Sequence, residues 1–312
     1  MVKRFLITMA LLLVLNISAA KAAEFEMVEY SAHVKLQWLA ASGLPEGRLY
    51  IKNLNKANHF NKDNLKDFDR IEKVNALFQE MTYASVINFI KSNGYSNVYD
   101  IASSYSPRVI DIVEGGGRYV VAELDAVAFV ADGLAKKALD PKYYDKFIYG
   151  TALVEDEEAM MSIASNLDGK VCIIENGLLV YLTRERVEAM FKNVKKILAQ
   201  KGGCMITTDL VMKPYFIDTA AALYGQDNAE TLYNETKEMY EQVLEGKLID
   251  DHFKSEKQAI AYLNSLGLKV DKVELLPSDY NLYSYKKLKN EQVAKVRELI
   301  GKKYLWVITV RS

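Results

Sequence analysis

The sequence predicts an α/β protein: a mostly parallel seven-stranded sheet with helices on both faces, preceded by a helical N-terminal cap. Three observations predict it. From Asn97 onward, short apolar runs alternate with amphipathic stretches. That strand–helix rhythm implies a parallel sheet covered by helices. Before Asn97 the apolar residues recur at helical spacing instead. Half of the 312 residues are hydrophobic, enough to bury one large core.

The chain divides into a leader (residues 1–22), a cap (residues 23–96) and an α/β domain (residues 97–312). Lys3 and Arg4 open the leader, Phe5 to Ile17 is apolar, and Ala20-Lys21-Ala22 puts small residues at the cleavage-determining positions. This is the layout of a secretory signal, cut after Ala22, and it implies export. A start at Met27 would instead give a cytoplasmic protein. The apolar run is too short for a comfortable membrane span, and no other segment could span one, so no integral membrane domain is expected once the leader is removed. In the cap, Val34 to Ala41 and Leu65 to Phe89 have helical spacing. Between them, the Asn-rich stretch Asn53 to Asn64 reads as a solvated loop or as a lid over an acceptor.

In the α/β domain, Val98 to Ala102 is the first strand and Pro107 to Val113 its helix. Tyr119 to Leu124, Phe147 to Val154, Lys170 to Ile174 and Cys204 to Asp209 are the next four strands. The helices between them are Val127 to Leu139, Glu157 to Asn166 and Arg184 to Gln200. Two polar helices follow, Asp227 to Leu244 and Ser255 to Leu266. Strands Val270 to Leu276 and Tyr304 to Arg311 flank a last helix, Leu288 to Ile300.

Composition narrows the function. Forty basic and 41 acidic residues leave a net charge of −1, without the basic excess that phosphate-backbone binding needs, so nucleic acid is not an expected partner. Two cysteines, Cys172 and Cys204, are too few for a zinc site. Both lie in apolar runs and read as buried thiols, with a single disulfide open to an exported protein. The three histidines are scattered. There is no Gly-x-Ser-x-Gly elbow and no phosphate-binding loop with lysine. Gly115-Gly116-Gly117 precedes a strand instead of following one, and so reads as a helix stop. A nicotinamide-dependent oxidoreductase is disfavoured, because no Gly-x-Gly-x-x-Gly follows the first strand.

Ligands of open parallel sheets bind beyond the carboxyl ends of the strands. Four spots qualify: Ala102 to Arg108, Glu123 to Asp125, Glu155 to Glu157 and Glu175 to Gly177. Glu123 and Asp125 suit ribose hydroxyls, with a solvated loop carboxylate as the competing reading. Glu175 ends a hydrophobic strand. A carboxylate there is costly to desolvate unless it meets a cation, either a ligand's or a protein lysine or arginine.

The run Val171-Cys172-Ile173-Ile174-Glu175-Asn176-Gly177-Leu178-Leu179-Val180-Tyr181-Leu182 resembles the leucine carboxyl methyltransferase family, whose Glu-Gly-Leu-x-x-Tyr-Leu pattern precedes a helix. Asn176 is an extra residue in that pattern. The resemblance spans roughly Val98 to Val310. It implies a Rossmann-like methyltransferase fold, S-adenosylmethionine as cofactor, and O-methylation of a small-molecule hydroxyl or carboxylate. It also implies that Ser103, Ser104 and Arg108 form the first cofactor loop, although both family glycines are replaced there. Arg108 would face the methionyl carboxylate or brace the loop. Glu123 and Asp125 would meet the ribose, Asp156 (or Glu155) the adenine, and Glu175 the cofactor's ammonium or sulfonium. Tyr181 and Asp209 would orient the acceptor. The replaced glycines and the leader equally suit an inactive, exported binding module on the same scaffold. The oligomeric state is not legible.

Overall fold

The computed structural model describes residues 29–54, 67–243, 248–249 and 252–311. The leader and residues 55–64 of the candidate lid lie outside the described residues.

The cap supplies three helices: α1 through residues 29–42, α2 (Pro45–Asn53) and α3 (Phe68–Ser92). The α/β unit then runs β1 (Asn97–Ile101), α4 (Arg108–Glu114), β2 (Arg118–Glu123), α5 (Asp125–Ala138), β3 (Phe147–Thr151), α6 (Glu157–Ala164), β4 (Val171–Glu175), α7 (Arg184–Lys201) and β5 (Gly203–Thr207). It finishes with α8 (Met212–Tyr224), α9 (Gln226–Val243), α10 (Glu256–Ser265), β6 (Leu268–Glu274), α11 (Asn290–Ile300) and β7 (Tyr304–Val310).

Seven strands form one sheet in the order β3-β2-β1-β4-β5-β7-β6. The first five are parallel, and β7 runs antiparallel to both of its neighbours. Period-two alternation assigns each strand residue to one face. Val98, Tyr119, Val121, Cys172 and Ile174 join the core under α1–α5. Their neighbours Tyr99, Val120, Ala122, Val171 and Ile173 join the core under α6, α7 and α10. Residues 32, 36 and 39 of α1 belong to the first core, which pins the cap helix to the sheet. A third core joins α3 to α8, α9 and α11.

Boundaries differ from the sequence reading mainly at β3, which ends at Thr151 rather than Val154, at β5, which ends two residues early, and at β6, which starts and ends two residues early. Helices α2 and α8 were not read from the sequence. Both carry proline in the first turn, which resembles a breaker but is tolerated there because those N–H groups have no intrahelical partner. The triple glycine does end α4, with Gly115 as its C-cap. Cys172 and Cys204 are free, buried and directly paired in register across β4 and β5. Among the described residues no helix is long and apolar enough to cross a membrane.

Strand order reverses between β1 and β4, so the loops after β1, β2, β4 and β5 converge on one crevice.

Candidate functional site

The loop after β1 is bent like a glycine loop without being one. Ala102 and Ser104 have φ of 52° and 56°, the only non-glycine positive values among the described residues. Each costs roughly 1–2 kcal/mol for a residue with a Cβ. The fold holds them there by long-range bonds. The Ala102 amide donates to the Ala122 carbonyl (2.8 Å), and the Ser104 amide donates to Glu123 Oε2 (2.8 Å). Ala102→Gly and Ser104→Gly should therefore each stabilise the chain by about 0.5–1 kcal/mol, the strain relieved less the entropy that glycine adds to the unfolded state. Urea unfolding measures this; a destabilised variant would mean that the Cβ contacts outweigh the strain.

Beneath the loop lies a buried charge pair. Arg108 Nε donates to Asp100 Oδ2 (2.8 Å), and the Tyr119 hydroxyl donates to the same oxygen (2.6 Å). Arg108 Nη1 reaches Asn176 Oδ1 (3.3 Å). The Arg108 guanidinium is bonded to Asp100 and borders the smallest cavity rather than the main cleft.

Glu123 ends β2 and is 4 % exposed. It accepts from the Ser104 and Leu124 amides (2.8 and 2.9 Å) and still lines the cleft. A carboxylate offers about four acceptor sites, so two remain for a ligand. Burial raises its pKa, opposed by the two amides and by Lys35.

The tips of β4 and β5 are tied together. Glu175 is fully buried and accepts from the Thr207 hydroxyl (2.6 Å) and the Leu178 amide (3.1 Å). Asp209 accepts from the Gly177 amide and from the Thr208 hydroxyl (3.1 Å). Asn176, the extra residue of the motif, donates to Thr208 Oγ1 (2.9 Å) and so joins the β1, β4 and β5 loops. Burial, then the adjacent Asp209 charge, push the Glu175 pKa well above the carboxylate range. Glu175 thus sits inside the strand-tip network and is not among the cleft-lining residues. This corrects its assignment as the counter-ion of a bound cation. Its register partner on β5 is Thr207, whose hydroxyl donates to Glu175 Oε2.

The Glu175 proton has a consequence for stability. The unfolded chain releases it near pH 4.3, whereas the folded chain holds it to a higher pH, so this group makes stability fall as pH rises above about 4.3. Glu175→Gln keeps the shape without the titration. Its unfolding free energy should decline less between about pH 5 and pH 8 than that of the parent. An unchanged slope in urea unfolding would locate the proton elsewhere.

Lys35, on α1, was not read from the sequence as functional, yet it organises the crevice. Its ammonium donates to the Gly177 carbonyl (3.0 Å) and lies 5.7 Å from the Tyr181 ring centre. No carboxylate of the described residues makes an ion pair with it. Its pKa is lowered by burial, with Asp209 and Glu123 the strongest opposing charges. Three cavities, of about 180, 30 and 80 Å³, meet at it. The largest is the main cleft, bounded by Ala102, Ser104, Glu123, Val154, Leu178 and Tyr181. The smallest borders Ser103, Ser106, Arg108 and Asn176 on one side and Leu36 and Leu39 on another. The third lies behind Tyr181, against α3, α8 and α9. The sequence did hold a signal. One turn away on either side, Lys35 has Ser31, Ala32, Trp38 and Leu39, so its side chain emerges from a mostly apolar helix face.

The other expected site residues divide. Ser103 and Ser104 border the cavities, and Tyr181 lines two of them, its phenol pushed up to about 12 by burial. Asp209 is occupied by the Gly177 amide and does not line the cleft, so it positions Gly177 instead of an acceptor. Asp125 is exposed and accepts from the Thr151 hydroxyl (3.2 Å). Asp156 caps α6 through the Ala159 amide (3.0 Å), and Glu155 pairs with Arg186 (3.0 Å). Neither Asp125 nor Asp156 lines the cleft; local capping and strand-edge bonds hold them outside it. Ser31 and Arg186 line it unforeseen.

No family model matches the chain, and no curated protein matches it. Solved structures do. A DUF574 family protein from Streptomyces avermitilis superposes with a TM-score of 0.50 at 13% identity, over 85% of this chain and 96% of that one. Magnesium protoporphyrin IX methyltransferase from Synechocystis PCC 6803, with bound SAH, gives a TM-score of 0.47 at 12% identity over 86% of this chain and 95% of that one. An O-methyltransferase family protein from Burkholderia thailandensis gives 0.45 at 10% identity over 90% and 71%. Together with the strand order, the likeness is one of fold: the chain has the Rossmann-like methyltransferase fold.

Proposed function

We propose that the chain is an S-adenosylmethionine-dependent O-methyltransferase acting on a small molecule. One observation carries the reading: the loop after β1 keeps a left-handed backbone at Ala102 and Ser104, against the preference of both residues, at the rim of a cleft that also presents Glu123. Strain of this kind persists where the surroundings over-determine it, and it clusters at ligand sites.

The chain's residues fit the cofactor. Glu123 has acceptor sites left for ribose hydroxyls. Ala152 and Val154 give an apolar wall for a base, and the Lys35 and Arg108 side chains that border the small cavity suit a carboxylate. When bound, the cofactor supplies an electrophilic methyl group on a sulfonium. The chain contributes alignment and exclusion of water, which suits a site with no obvious general base. The finer kinship with the leucine carboxyl methyltransferases rests on the Glu175–Tyr181 motif alone.

Isothermal titration of the chain with S-adenosylhomocysteine tests the proposal. Binding with a Kd below about 1 mM is expected, and no heat at that concentration would defeat it. A second reading, a binding module without turnover, draws on the Lys35 ammonium, which repels a sulfonium and faces the same cleft. Ligand binding without methylation of any acceptor offered would favour it.

A further inference from the structure

The cavity behind Tyr181 has a composition of its own. Phe78, Tyr181, Phe216, Tyr233 and Tyr240 line it, and its charged lining residues are Lys35 and Lys237, with no carboxylate among them. Five rings and the Lys35 ammonium specify a flat, negatively charged occupant; Lys237 is already paired with Glu241 (3.6 Å). Its volume of about 80 Å³ is about half that of the roughly 150 Å³ cavity that holds a benzene, so an aromatic occupant is small and extends through the junction into the main cleft.

Lys35 stands at the mouth. Its one hydrogen bond among the described residues is to the Gly177 carbonyl, and an ammonium has three donors. Neither Asp209 nor Glu123 makes an ion pair with it: Asp209 accepts from the Gly177 amide, and Glu123 from the Ser104 and Leu124 amides. The mouth is also where this cavity meets the main cleft, since Lys35, Gly177 and Tyr181 line both. Adding a Cβ at Gly177 would bring it to 2.8 Å from the Lys35 nitrogen, so the glycine leaves the ammonium its place.

We propose that this chamber receives a small aromatic anion, such as a benzoate or phenolate, whose charged oxygen is held by Lys35 at the junction with the main cleft. The proposal deepens the methyltransferase reading by naming its acceptor class, and it rests on that reading only for what the junction is used for. Lys35 acts here as a specificity-determining residue. Chamber walls set the ring plane, and the ammonium sets which end of the molecule points at the cleft.

The test is binding, measured by isothermal titration with benzoate, benzyl alcohol and benzylamine, each with and without S-adenosylhomocysteine. Benzoate should bind about tenfold tighter than benzylamine, with benzyl alcohol between them. Met212→Trp fills the chamber from a half-buried wall position and should remove benzoate binding while sparing S-adenosylhomocysteine. Lys35→Met should erase the preference for the anion. Lys237→Met, on a partly exposed side chain, should weaken benzoate alone and serves if the tryptophan variant does not fold. Equal affinity for benzoate and benzylamine, or benzoate binding indifferent to Met212→Trp, overturns the proposal. S-adenosylhomocysteine that binds without any benzoate preference sinks the acceptor class and leaves the methyltransferase reading. Benzoate that binds in a chain refusing S-adenosylhomocysteine does the reverse.

Discussion

Arg108→Ala is expected to destabilise the fold by about 3–5 kcal/mol, the cost of stranding one member of a buried ion pair. Asp100 is fully buried, and Arg108 is 6 % exposed. Without the guanidinium, Asp100 would keep only the Tyr119 hydroxyl. Burial already raises the Asp100 pKa, and Arg108 is the largest influence holding it down, so the variant should protonate Asp100 and keep part of the penalty as lost hydrogen bonds. Against a total stability of roughly 5–15 kcal/mol the loss is severe. The double variant Asp100→Asn with Arg108→Met should recover most of it, because no charge is then left buried and the amide keeps a partner for Tyr119. Denaturant unfolding of the two variants decides the matter. A loss below about 1 kcal/mol for Arg108→Ala would mean that water reaches Asp100.

Glu123→Ala should have the largest effect on ligand binding. Two hydrogen bonds from hydroxyls to a charged carboxylate are worth about 1.5–3 kcal/mol each, so S-adenosylhomocysteine should bind at least about a hundredfold more weakly. The variant also frees the Ser104 amide, which Glu123 holds at 2.8 Å, and with it the left-handed turn. Glu123→Gln separates the two roles. It can still accept one amide and one hydroxyl, and should lose less affinity than the alanine variant. Equal affinities for parent and alanine variant in isothermal titration would remove Glu123 from the site.

Much of the scaffold was legible because it is local. All seven strands were read to within about three residues at each end, since apolar runs bounded by turn residues report burial directly. The crevice followed from one topological rule. Its chemistry followed less well. Glu175, Asp209 and Asp156 are all acids at strand ends, and nothing in the local sequence says which will face a ligand. Asp156 caps the helix that follows it. Glu175 and Asp209 each meet partners contributed by the other's strand or loop. Glu123 alone among them kept an open face.

By itself the sequence determined the order of the seven strands and of most helices, and the spots where a ligand can approach, because periodicity and turn chemistry act over a few residues. Tertiary structure alone decided which strand-end carboxylates turn away from the cleft, why Ala102 and Ser104 sit where glycine belongs, and that Lys35 reaches Gly177, 142 residues away in the chain. The physical reason is that charge state and strain depend on every group within a few ångströms, and at this crevice those groups come from six separate segments of the chain.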